Sequence, residues 1–327
     1  MGYFSKNRVI VVLGMHRSGT SAMTRGLVAL GVELGDDLLP PHEDNMKGYW
    51  EDKGVREFND ELLAALGSRW DSVSHIPEKM FSCAELGPFY ERAGRMLKGK
   101  FRGKSLFAIK DPRICRLMPF WARVFDELDL DVSCLIPVRH PMSVVSSLMK
   151  RGGFVKATGY CLWLEYVICA MEFSQRMRRV TVGFDQFLKQ PVEEMNRIAT
   201  LLELPEEERE SECEDFISSF LDKNLCHSRH GTVDFSDEPL MFSEVVETYA
   251  FLNSLCCGET DVSSEECAAF FTGMRQRVEA LQPLIRSVDA VRNELEIRGA
   301  DEVSEILSSA SWRITTPLRS IAGFVKR

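Results

Sequence analysis

The chain has no Cys-x-x-Cys pair, no apolar run of membrane-spanning length and no excess of positive charge. Its ten cysteines stand singly from Cys83 to Cys267, with only Cys256 and Cys257 adjacent, so the spacing supports neither a disulfide framework nor a zinc cluster. Met1 to Arg8 run straight into an apolar segment, which leaves no room for a signal-peptide hydrophobic region. A cytoplasmic protein with reduced thiols is therefore expected. The formal net charge of -9 argues against a general nucleic-acid binder, which needs a basic footprint for phosphates, although a local basic pocket is compatible with it. Internal repeats and low-complexity tracts are also absent.

What is present is an ordinary globular composition, 45% hydrophobic and 27% charged, in 327 residues, enough to bury a full core. Strand-like apolar runs recur at Val9 to Leu13, Ser105 to Ile109 and Val132 to Val138, and more weakly at Arg179 to Val182. The stretches between them are long enough for helices, and Val55, Phe58, Leu62, Leu63 and Leu66, like Val192, Met195, Ile198 and Leu202, carry helical spacing. An α/β fold with a parallel sheet is predicted. The acidic segment from Glu203 to Glu212, with Pro205, reads as a surface connection. Beyond it Val278, Leu281, Ile285, Val288, Val291 and Leu295, interrupted by Pro283, predict an amphipathic helix pair or a short coiled coil. The expected division is residues 1–235 as an α/β domain and 236–327 as a helical extension, through which the chain could form a homo-oligomer.

The first strand leads into Gly14-Met15-His16-Arg17-Ser18-Gly19-Thr20-Ser21. Gly14 and Gly19 have the spacing of a triphosphate-binding P-loop, but Thr20 occupies the position of its Lys, and the cation is Arg17, inside the loop. A helix starting at this loop turns unpaired N–H groups and a positive dipole end toward an anion. The second notable stretch follows the third strand: Arg139 ends it, Pro141 starts a helix, and Ser147 lies about two turns in. Together these suggest a second anion site.

In this order the two elements resemble the cofactor motifs of the sulfotransferase superfamily, which uses 3′-phosphoadenosine 5′-phosphosulfate. Asn45-Met46-Lys47-Gly48-Tyr49-Trp50-Glu51-Asp52 and Lys110-Asp111-Pro112-Arg113 are similar to segments of its bacterial carbohydrate-type members, so that the resemblance covers roughly residues 8 to 205. It implies a P-loop-like three-layer sandwich around a central parallel sheet. It also implies that Arg17, Ser18, Gly19, Thr20 and Ser21 hold the 5′-phosphosulfate and that Arg139 and Ser147 hold the 3′-phosphate; His16, from its place in the loop, could touch the same ligand or simply pack the loop. The reaction implied is transfer of a sulfuryl group to a carbohydrate hydroxyl in surface-polysaccharide biosynthesis. Glu51 is the first candidate for the base, with Glu43 and His42 in reserve; Lys110 and Arg17 would stabilise the leaving phosphate. No metal is required by this scheme.

Each assignment has a plainer rival. Glu51 with Asp52 could simply cap the following helix, and Lys110 to Arg113 could be a salt-bridged turn. His227 and His230 could reach the cofactor as a basic loop does in the family. The tail from Ser308 to Arg327 alternates apolar residues with Arg313, Arg319, Lys326 and Arg327. That composition suits either peripheral contact with an anionic membrane or docking on the chain's own domain. The tail resembles endings found on bacterial glycosyltransferases of polysaccharide assembly. A nucleotide-dependent kinase and a non-catalytic scaffold of a glycan-assembly complex are the alternative functions.

Overall fold

A computed structural model describes residues 6–42, 45–151, 155–205, 210–221, 235 and 238–308, with side chains left undescribed at 210 and 299–308. Glu43, His227, His230 and the tail from 309 onward lie outside the described residues.

The elements run β1 (Arg8–Val12), α1 (Thr20–Ala29), α2 (Lys53–Ala65), α3 (Gly87–Lys100), β2 (Leu106–Lys110), α4 (Ile114–Glu127), β3 (Asp131–Val138), α5 (Pro141–Arg151), α6 (Lys156–Phe173) and β4 (Arg178–Gly183). After these come α7 (Phe184–Lys189), α8 (Pro191–Leu201), α9 (Glu210–Asp215), a π-helical turn (Phe216–Phe220), α10 (Ser243–Cys256), α11 (Glu265–Ala280) and α12 (Gln282–Ser308). All four strands expected from the sequence form, each within one residue of its predicted bounds. They are parallel and lie in the order β2-β1-β3-β4. The runs are continuously apolar because a parallel sheet is covered on both faces. Ile10 and Val12 of β1 share a buried cluster with Met23 and Leu27 of α1, Phe187 of α7, Met195 and Ile198 of α8, and Phe216. Val9 and Val11 point by alternation to the opposite face and are equally buried.

The strand order positions the site. β1 lies between β2 and β3, so the connections leaving β1 and β3 diverge to opposite sides and open a crevice beyond their carboxyl ends. Val12 is in register with Lys110, so β1 and β2 end at one level, while β3 continues three residues past Leu135, the partner of Val12, to Val138. The loop after β1, Lys110, and Arg139 just past β3 therefore converge on the same edge.

The chain divides into two compact units, residues 1–279 and 280–327. α10 packs on β3, β4 and α6. α11 is tied to the same unit through buried Arg275, which donates to Glu165 at 2.9 Å and to Glu172 at 2.8 Å. Both helices fall in the segment that the sequence reading set apart beyond residue 235. Among the described residues no helix is long and apolar enough to cross a membrane.

Candidate anion-binding site

Gly19 at φ +92° caps α1; no side chain accepts from the first-turn N–H groups, and no acid stands in that turn. These donors are therefore directed at whatever the loop encloses. Glycine is required at both ends of the loop. A Cβ on Gly14 would stand 2.8 Å from the Thr20 methyl and 2.9 Å from Ser18 Oγ, and one on Gly19 would stand 2.1 Å from the Phe184 ring. Between them Arg17 adopts a left-handed φ of +69°, a conformation that costs a side-chain-bearing residue about 1–2 kcal/mol. Ser18 braces the turn by donating from Oγ to the Met15 carbonyl at 2.6 Å.

The two predicted anion elements meet here. Arg17 Nε donates to Ser147 Oγ at 2.8 Å, and the Arg139 guanidinium donates to the Arg17 carbonyl at 2.8 Å while lying 4.8 Å from the Phe184 ring centre. Residues 122 and 130 positions apart thus form one cross-braced structure around a cavity of about 380 Å³. His16, Arg17, Gly19, Thr20, Ser21, Glu51, Lys110, Arg139 and Ser147 all line it. Ser18 does not; it is buried and serves the turn. His42 is not among the lining residues either.

Glu51 and Lys110 form a buried ion pair at 2.5 Å. Lys110 also donates to the Tyr49 carbonyl at 2.9 Å and to Ser21 Oγ at 3.4 Å, so all three ammonium protons have partners. Burial outweighs the attraction of Lys110 and holds the Glu51 carboxyl above its ordinary range. Glu51 is placed by a turn in which Asn45 Nδ2 donates to the Gly48 carbonyl at 2.7 Å, with Gly48 and Trp50 both at positive φ. The Leu39 N–H then donates to the Glu51 carbonyl at 2.8 Å. The capping role falls to Asp52, which accepts from the Val55 N–H at 3.0 Å; Glu51 turns away into the cavity. The Lys110-to-Arg113 segment divides in the same way. Arg113 pairs with Asp111 at 2.9 Å and with Asp60 at 2.5 Å, a salt-bridged turn, while Lys110 and Pro112 line the cavity.

The His16 ring packs edge-on against Trp70, centroids 4.7 Å apart. Burial, then the charges of Arg113, Lys110, Arg151 and Arg17, hold its basicity well below the usual histidine range and keep it neutral. Sequence reasoning assigned no role to Ser143, Lys150, Phe184 or Phe220, all of which line the cavity, and placed Arg151, which also lines it, only at the start of a loop expected to select the acceptor. Ser143, Lys150 and Arg151 could have been found from their helical spacing to Ser147, and Phe184 from its place just after β4. Phe220 gives no such signal, because only the fold brings it back to α1.

No protein-family model and no curated protein matches the chain. Among solved structures it is similar to the sulfotransferase domain from the Synechococcus PCC 7002 olefin synthase, at 14% identity over 70% of this chain and 86% of that one, with a TM-score of 0.41. It is also similar to the sulfotransferase domain from the curacin biosynthetic pathway, at 16% identity over 62% and 76% of the two chains, with a TM-score of 0.36. The functional reading rests on the cavity's own residues.

Proposed function

We propose that the chain is a sulfotransferase that moves a sulfuryl group from 3′-phosphoadenosine 5′-phosphosulfate to a carbohydrate hydroxyl in surface-polysaccharide biosynthesis. The observation that carries this reading is the joining of an uncapped helix N-terminus to the Arg139–Ser147 element through Arg17 in one cavity. A triphosphate site needs one anion cradle and a loop Lys; this cavity offers two cradles, and Thr20 in place of the Lys. The α1 N–H groups, Thr20, Ser21 and Arg17 fit the 5′-phosphosulfate, and Arg139 with Ser147 fits the 3′-phosphate. Phe184 and Phe220 add apolar wall to the cavity, suited to packing against the adenine.

In this reading Glu51 takes the proton of the acceptor hydroxyl as its oxygen bonds to sulfur. The sulfur–oxygen bond to the 5′-phosphate breaks, and adenosine 3′,5′-bisphosphate leaves with the electron pair. Arg17 and Lys110 offset the charge that builds on the departing oxygen. A carboxyl kept buried beside a lysine is suited to this task, since its raised affinity for protons brings it closer to the working pH.

The test is transfer of labelled sulfate from the donor to sugar acceptors by the full chain. Glu51→Gln should lower the rate about 10²- to 10⁴-fold while leaving adenosine 3′,5′-bisphosphate bound. In the parent enzyme the rate should rise with pH through an acidic limb set by Glu51, placed above the ordinary carboxylate range, and the limb should vanish in the variant. An unchanged rate in Glu51→Gln removes the base assignment, and absence of transfer in the parent favours a scaffold.

A further inference from the structure

Ser21 stands in the first turn of α1, where the resemblance gives it to the phosphosulfate. The structure commits its hydroxyl elsewhere. A serine oxygen carries one proton and two lone pairs. Ser21 Oγ donates its proton to the Tyr49 carbonyl at 3.1 Å, and two donors, Lys110 Nζ and Asn45 Nδ2, approach the oxygen at 3.4 Å each. With both lone pairs facing donors, the proton is left to the Tyr49 carbonyl.

These partners belong to the two sides of the buried ion pair. Lys110 ends β2 and pairs with Glu51 at 2.5 Å. Asn45 and Tyr49 belong to the turn that carries Glu51. The Asn45 amide also donates to the Gly48 carbonyl at 2.7 Å, which closes that turn, and the Tyr49 carbonyl also accepts from Lys110 at 2.9 Å. One hydroxyl therefore touches the end of β2 and the turn before α2 from the first turn of α1. Contacts at 3.4 Å are weak singly. Lys110, however, is a compact charge on a flexible four-carbon stem, and its ammonium is held in place by Glu51, the Tyr49 carbonyl and Ser21 together.

We propose that Ser21 is a positioning residue: its hydroxyl holds Lys110 against Glu51 and ties the Glu51 turn to the loop, and it meets the donor through its main-chain N–H alone. In the sulfotransferase reading, on which this inference rests, the first turn of α1 holds the donor, so one side chain joins the donor's helix to the proton acceptor.

The experiment compares the full chain with Ser21→Ala and Ser21→Thr, saturated with donor, over a range of pH. Ser21→Ala removes the oxygen and keeps the N–H. It should lower the rate of sulfate transfer about 10- to 100-fold, while adenosine 3′,5′-bisphosphate affinity, read by calorimetry, stays within twofold of the parent. Lys110, Asp111 and Arg113 are the charged groups that act on the Glu51 carboxyl, and of these Ser21 touches Lys110. A loosened Lys110 attracts the carboxylate less, so the acidic limb of the rate should move to higher pH. Ser21→Thr keeps the oxygen and should keep both the rate and the limb near those of the parent. A Ser21→Ala variant whose chief loss is bisphosphate affinity overturns the proposal, because the hydroxyl would then serve the donor. So does an unchanged rate and limb in that variant, or a threonine variant that behaves like alanine. Should the parent transfer no sulfate, the sulfotransferase reading falls by itself. Carbon-13 NMR titration of the Glu51 carboxyl, identified by its loss in Glu51→Gln, then decides on Ser21 by the same upward shift in Ser21→Ala or its absence.

Discussion

Arg17 shows what a single residue can hold together and what a sequence can say about it. Its position inside the loop, with Thr20 where a lysine would stand, was legible from spacing alone. Its left-handed backbone and its bond to Ser147 were not, because they depend on where α5 comes to lie. The strain bears on stability and the side chain on the ligand, so one substitution read in two ways reports on both. Arg17→Gly should relieve the strained φ and leave the melting temperature unchanged or slightly higher, while weakening adenosine 3′,5′-bisphosphate about 10- to 100-fold, as loss of a charged hydrogen-bond donor does. Thermal melts and calorimetry on the same variant check both halves. The pairing of Glu51 with Lys110 belongs with the features that sequence hides. Each residue was identifiable from its motif, but their contact joins positions 59 apart.

At the scale of elements, the tie between α6 and α11 is a buried polar network. Glu165 accepts from Arg275 at 2.9 Å and pairs with His75 at 2.9 Å, while Arg275 also reaches Glu172 and the Cys169 thiol. His75, Glu165 and Cys169 bring their ligand atoms within 4.8 Å of one another, and Arg275 supplies a positive charge among them. Burial alone would raise the Glu165 carboxyl, yet Arg275 and then His75 bring it down to about 2. A carboxyl depressed in this way adds stability above its unfolded value near pH 4, and that stability is lost as the pH falls toward about 2. Arg275→Met leaves Glu165 buried without its main partner and should cost about 3–5 kcal/mol. Adding Glu165→Gln should recover part of the loss and flatten the acid limb of the stability curve, as urea unfolding at several pH values will show. None of this was legible beforehand. Helical periodicity revealed that residues past 235 form helices, but it could not say that α10 and α11 belong to the first unit, since that depends on pairs such as Arg275 with Glu165, 110 positions away.

For the molecule as a whole, the sheet was the most legible part. Buried parallel strands must be apolar throughout, and Val9 to Leu13 and Val132 to Val138 announce themselves for that reason. The order β2-β1-β3-β4 could not be read, and it is this order that gathers the ends of β1, β2 and β3 into one crevice. The result is a chain of net charge -9 in which, among the described residues, six cations and one acid line this cavity, an arrangement suited to anions. The central claim is that this cavity has two anion cradles built for one nucleotide. The most direct test is a calorimetric comparison of adenosine 3′,5′-bisphosphate with adenosine 5′-monophosphate on the full chain and on Arg139→Gln. The account predicts that the bisphosphate binds at least tenfold more tightly to the parent and that the variant loses most of that difference. Equal affinities in the parent, or a preference that survives in Arg139→Gln, would contradict it.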